Sequence, residues 1–174
     1  TGWGIPFTED IADTGIVVLL EGNNPASKIL ALRADFDALP ITEENEVGYC
    51  SVNNGVMHAC GHDIHMAVLI GSANELVLRK KEWSGTLIMI LQPAEEVGQG
   101  SLAMLNDGLF ERFPRPDFNL ALHVGSNGPA GSVGYHLGYA MANVDSVDII
   151  IKGVGRAKKQ KIDAAGGRGM GKAA

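Results

Sequence analysis

The sequence predicts an α/β domain whose largely parallel, mixed sheet is flanked by helices. Three observations lead there. Short apolar runs alternate with helical patterns in the order strand, helix, strand, helix, strand. The polar clusters fall just past the ends of predicted strands or at helix starts, where open α/β sheets place their sites. The composition, 45% hydrophobic and 20% charged over 174 residues, is that of a soluble globular protein with a core of ordinary size.

The elements follow in chain order. Gly15–Glu21 is short, branched and apolar, and reads as a strand. Asn23, Asn24 and Pro25 mark a turn. Ile29–Asp37 reads as a buried strand ending in acidic residues, stopped by Leu39 and Pro40. Residues 42–57 are polar and mixed, as in a loop. Met66, Leu69, Ile70, Ala73, Leu76 and Val77 then share one helical face. Asp63 is a candidate cap for that helix, and Arg79, Lys80 and Lys81 lie at its far end, where cations suit the helix dipole. Thr86–Leu91 is a further strand, ended by Gln92 and Pro93. Ser101–Asn106 is a short helix closed by Gly108. Phe118–Val124 and Val144–Ile151 are the last strands. From Gly153 to Ala174, Gly, Ala and Lys replace the large apolar residues, so 1–152 reads as the domain and 153–174 as a weakly structured or altered tail.

The formal net charge of -6 argues against a nucleic-acid partner. The apolar runs are too short to span a bilayer, so no membrane role is expected. No signal-peptide pattern opens the chain, which suggests a cytoplasmic protein, while the missing initiator Met leaves room for a fragment and a lost targeting segment. The two cysteines, Cys50 and Cys60, read as thiols in a reducing compartment. The alternative, a Cys50–Cys60 disulfide, would remove Cys60 from any metal site.

Three clusters carry chemistry. His58-Ala59-Cys60-Gly61-His62-Asp63-Ile64-His65 packs three imidazoles, a thiol and a carboxylate into eight residues. Zinc-like ions take all three ligand types. In an extended stretch Cys60 and His62 would point to the same side, with Asp63 free to orient an imidazole. The plainer reading is a polar loop with Cys60 buried. Glu95 and Glu96 follow a strand directly in Gln92-Pro93-Ala94-Glu95-Glu96. Adjacent residues of an extended segment point to opposite sides, so beside a metal one carboxylate can bind the ion and the other act as general base toward water. Without a metal they are solvated loop charge. His123, at the end of a strand, is structural or a third ligand. Asp35 and Asp37 are ligands, supports of ligands or a turn, and His136 is structural. No phosphate-binding glycine loop and no Gly-x-Ser-x-Gly elbow is present.

Four segments together resemble the amidohydrolase branch of the aminoacylase/carboxypeptidase metallopeptidases. They are Ala31–Pro40, Met57–Asp63, Gln92–Glu96 and Leu122–Val124, and the resemblance covers residues 3 to 153. That branch includes hippurate hydrolase, N-acyl-amino-acid amidohydrolases and the indole-acetyl-amino-acid hydrolases. The resemblance implies a zinc-peptidase-like three-layer domain holding two divalent ions, zinc, manganese or cobalt. It implies Cys60, His62, Glu96 and His123 as metal ligands, with Cys60 a candidate bridge, and Glu95 as general base. The implied reaction is hydrolysis of an N-acyl amino acid or short peptide, in a protein that is a homodimer when complete. The family's members are longer and carry an inserted dimerisation domain, which would begin where the 153–174 tail stands. After residue 152 they show a glycine-glycine-histidine motif, where this chain reads Gly153-Val154-Gly155-Arg156. Their last ligand histidine has no counterpart here. The chain is therefore expected to be the first catalytic part of such an enzyme. Two other readings stay beside it: a metal-binding relic or interaction domain without turnover, and a hydrolase using Cys60 as a thiol nucleophile.

Overall fold

A computed structural model describes residues 4–139, 147–150 and 162–164. The chain divides into two compact units, residues 1–125 and 126–174. In the first unit the strands β1 (Phe7–Ile11), β2 (Gly15–Glu21), β3 (Ile29–Asp35), β4 (Thr86–Gln92) and β5 (Phe118–Ala121) form one sheet, in the order β1-β2-β4-β3-β5. It is mixed: β3 runs parallel to both β4 and β5, while β2 runs antiparallel to β1 and β4.

The apolar pattern explains the layers. β4 reads Thr-Leu-Ile-Met-Ile-Leu-Gln, an unbroken run of the kind that is buried on both faces. Leu87 and Met89 face the helix α1 (His62–Leu78), where they pack with Leu20, Ala34, Leu69 and Ala73. Ile88 and Ile90 face the other way, into a cluster with Ile11, Val17, Ala31, Met104 and Leu109. Met104 belongs to α2 (Gly100–Asn106) and Leu109 to α3 (Leu109–Arg112). Helix, sheet and helices thus make three layers around two apolar cores. Among the described residues no helix is long and apolar enough to cross a membrane.

Several boundaries differ from the sequence expectation. α1 begins at His62, and its N-cap is Gly61 in the left-handed conformation, with no side-chain capping bond. Asp63 is therefore not the cap; it lies exposed in the first turn, where its charge only suits the dipole. β3 stops at Asp35 and β5 at Ala121, so Asp37 and His123 stand beyond the strands rather than within them. β1 is an edge strand with a bulge between Thr8 and Ile11, and its Glu9 and Asp10 hide it from apolar periodicity.

In the second unit β6 (Val147–Ile149) pairs antiparallel with β7 (Ile162–Ala164). Of the expected strand 144–151, residues 144–146 and 151 lie outside the described residues. So does the tail 153–174, apart from β7.

Candidate metal centre

The parallel register sets the site. Asp35 pairs with Gln92, so β3 and β4 end side by side and their following segments leave the sheet together. Those segments carry Asp37 and the pair Glu95–Glu96. Gly61 then brings α1 to the same edge. Its φ of 80° turns the chain from Cys60 straight into the helix, and a Cβ there would stand 2.5 Å from Val124 Cγ2. Cys60 and His62 therefore converge through a left-handed glycine, not through extended backbone.

Glu95 and Glu96 also depart from the extended expectation. Ala94 has φ 51°, and residues 95–98 form a turn closed by Gly98 N–H donating to Glu95 O. A non-glycine residue in this region is costly and characteristic of functional sites. The turn swings both carboxylates inward: Glu95 Oε2 lies 3.7 Å and Glu96 Oε1 4.0 Å from His62 Nε2. The two differ in access, Glu95 being 39% exposed and Glu96 only 9%.

His62 is fully buried. Its Nδ1 lies 3.0 Å from Asp37 Oδ1 and 3.1 Å from Asp37 O, both acceptors, so Nδ1 carries the proton. Asp37 Oδ2 accepts the Glu96 N–H at 2.9 Å, so this one carboxylate fastens the histidine and glutamate segments together. His62 Nε2 is left as a bare lone pair with no hydrogen-bond partner, facing the oxygens of Asp35 at 3.7 Å, Glu95 and Glu96. A buried acceptor surrounded by acceptors is unstable without a cation between them. Two ligand atoms on one tetrahedral ion stand about 3.4 Å apart, close to these separations.

A second convergence lies alongside. Cys60 Sγ is 3.6 Å from His123 Nε2. His123 Nδ1 meets the Val124 carbonyl at 2.7 Å, which places its proton on Nδ1 and turns the Nε2 lone pair to the sulfur. Sulfur and nitrogen on one tetrahedral ion are about 3.5 Å apart. Cys60, His62 and His123 bring ligand atoms within 4.8 Å of one another, as do His62, Glu95 and Glu96. His62 thus belongs to both groups. The donor set fits two divalent ions.

Asp35, His62 and His65 form a third such group. Of its two histidines, His65 is already engaged, because His65 Nδ1 donates to Asp35 Oδ1 and His65 Nε2 accepts the Val124 N–H at 2.9 Å. Asp35 is 1% exposed. Burial alone would raise its pKa; the His65 hydrogen bond and the Arg33 charge outweigh this and hold it below its ordinary value. Arg33 supplies the nearest charge, Nη1 donating to Asp35 Oδ2 at 2.7 Å.

The orienting carboxylate is therefore Asp37, while Asp63 is exposed. Sequence reasoning missed His65 as a buried partner. Its signal was its place three residues after His62, on the buried stripe His62, His65, Leu69 and Ala73. Neither Cys50 nor Cys60 is in a disulfide, and Cys50 is exposed. His136 belongs to the second unit and is exposed.

Comparison with known proteins bears on this geometry. The model of peptidase family M20/M25/M40 matches residues 31–168. N-acetyldiaminopimelate deacetylase of Oceanobacillus iheyensis is 39% identical over 142 residues, covering 82% of this chain and 37% of that protein. N-acetylcysteine deacetylase of Bacillus subtilis is 39% identical over 149 residues, 82% of this chain and 36% of that protein. Among solved structures, the YXEP protein of Bacillus subtilis, described as a dinuclear metal binding peptidase, is similar with a TM-score of 0.71. It is 34% identical, over 78% of this chain and 37% of that one. The chain thus spans less than two fifths of the length of these relatives.

Proposed function

Since this chain belongs to peptidase family M20/M25/M40, we propose that it is the catalytic part of a metal-dependent hydrolase that cleaves the amide bond of N-acyl amino acids. One observation carries the reading: the buried, unpartnered His62 Nε2, anchored through Nδ1 by Asp37 and aimed at three carboxylates. The two deacetylases named above act, by their names, on small N-acetylated amino compounds. The related dinuclear peptidase supports a pair of ions.

In this reading Cys60, His62, Glu96 and His123 hold the ions. Divalent ions, when bound, supply a Lewis acid that acidifies water and polarises a carbonyl. Glu96 suits a ligand role because it is sheltered, whereas Glu95 remains open to water and substrate. Glu95 takes the proton from the attacking water at its carboxylate and returns it to the leaving nitrogen. Asp37 keeps the His62 proton on Nδ1, so Nε2 stays a donor of electrons. The acyl group, the amino acid and any dimer belong to the complete protein.

Cys60 and His123 alone would also fit a thiol and its base. The crowd of carboxylates on His62 favours cations instead. The test is hydrolysis of a panel of N-acetyl amino acids before and after dialysis against chelator, followed by zinc, manganese or cobalt. Loss and restoration of turnover is expected. Activity that survives exhaustive chelation would overturn the reading.

A further inference from the structure

His65 is 5% exposed, is not one of the proposed ligands, and spends both ring nitrogens on hydrogen bonds. Because Nε2 accepts the Val124 N–H, the proton of the neutral ring sits on Nδ1 and is given to Asp35. Asp35 takes its second bond from Arg33 Nη1, and Arg33 Nε donates to Gln92 Oε1 at 3.0 Å. An unbroken polar chain, Gln92–Arg33–Asp35–His65–Val124, therefore runs across the sheet edge. It ties the end of β4, the end of β3, the first turn of α1 and the segment after β5. The His65 ring also stands edge-on to the His123 ring, with centroids 4.5 Å apart.

We propose that His65 is a positioning residue: it seats the His123–Val124 segment opposite Cys60, so the thiolate–imidazole half of the centre depends on it. This rests on the metal-centre reading above. Val124 is the only residue of its segment bonded through its N–H to α1 among the described bonds, and its side chain abuts the Gly61 backbone. Removing the acceptor on His65 frees the segment on one side while Asp37, Glu95 and Glu96 keep their places around His62. For His65 to be a ligand instead, it would have to surrender either the Asp35 or the Val124 bond, both inside a buried site.

Two variants separate the two bonds. His65→Asn keeps a donor near the Nδ1 position but offers nothing to Val124, and His65→Gln carries an oxygen to the Nε2 position. The chain is titrated with cobalt, whose near-ultraviolet thiolate absorption reports Cys60, and ions per chain are counted by elemental analysis. Two ions and a thiolate band are expected for the unaltered chain. H65N should weaken binding of the thiolate-bound ion about 10- to 100-fold while keeping the other ion, and H65Q should lose far less. If both variants fail to fold, Val124→Pro removes the same donor without touching His65 and should show the same selective loss. Equal losses in H65N and H65Q, loss of both ions together, or an undiminished thiolate band in H65N or V124P would overturn the proposal. An unaltered chain that binds no cobalt would bring down the metal centre itself. An unaltered chain that binds one ion without a thiolate band would bring down the Cys60–His123 half of the centre, and the role of His65 with it, while leaving the His62–glutamate half standing.

Discussion

The two ends of the parallel strands β3, β4 and β5 are built on opposite principles. At their starts, polar groups are satisfied by one another. Asp117 accepts the Ile29 N–H and the Lys28 ammonium, Thr86 Oγ1 donates to Pro25 O, and Trp83 Nε1 donates to Leu76 O. At their finishes, four carboxylates crowd one buried imidazole, Ala94 is held at positive φ, and His62 Nε2 has no partner. The first end is arranged for stability, and the second keeps strain and unmet polarity for which a bound cation is the remedy. Substitutions should therefore separate: changes at the finish alter metal binding and chemistry, while changes at the start alter unfolding alone.

The largest effect is expected from Glu95→Gln. The amide keeps the size and the turn but cannot accept a proton, so turnover should fall about 10²- to 10⁴-fold. Metal content, by elemental analysis, should stay unchanged. Equal loss of metal would make Glu95 a ligand and blur its distinction from Glu96. Next comes Asp37→Ala, which removes the acceptor of the Glu96 N–H and leaves His62 Nδ1 only the backbone carbonyl of residue 37. Metal affinity should drop about 10- to 100-fold. Unfolding of the metal-free protein should move little, because deleting one of four crowded carboxylates also relieves repulsion.

Gly85→Ala probes the other end. Gly85 has φ 109°, and an added Cβ would lie 2.5 Å from the Lys28 carbonyl oxygen, a backbone atom that cannot step aside. Thermal or denaturant unfolding should show a loss of about 1–3 kcal/mol. Cobalt titration at the site should be unaltered. A change in metal affinity here would mean that the two ends are coupled through the strands.

The same contrast explains what was legible in the sequence. β2, β4 and most of β3 are announced by unbroken branched apolar runs, because burial on both faces demands them. The site geometry is less readable because it depends on backbone that breaks the local pattern. Asp63 looks like a helix cap, but Gly61 in the left-handed region starts α1 earlier. Glu95 and Glu96 look extended and divergent, but Ala94 turns them the same way. His123 looks like a strand residue, yet β5 ends two residues before it. His65 was invisible as a partner because its role depends on Asp35 and Val124, brought to it only by the fold.

The smallest effect belongs to Asp117→Asn. Asp117 has its pKa lowered, first by the Ile29 N–H bond and then by the Lys28 hydrogen bond, against desolvation and with the Lys28 charge adding least. A carboxylate whose folded pKa lies below its unfolded value of 3.8 adds stability above that pH and loses it as pH falls through the folded value. The wild-type chain should therefore shed this contribution below pH about 4, whereas D117N lacks it at every pH. The gap between the two unfolding curves should be widest at neutral pH and close under acid. It should be small, because the pair is largely solvated, with Lys28 66% and Asp117 38% exposed, and salt should narrow it. A gap that persists at pH 2 would show that Asn fails to take the Ile29 N–H for reasons of shape rather than charge. A shift in cobalt binding would contradict the separation of the two ends, since Asp117 sits at the start of β5 and the proposed ligand His123 lies beyond its finish.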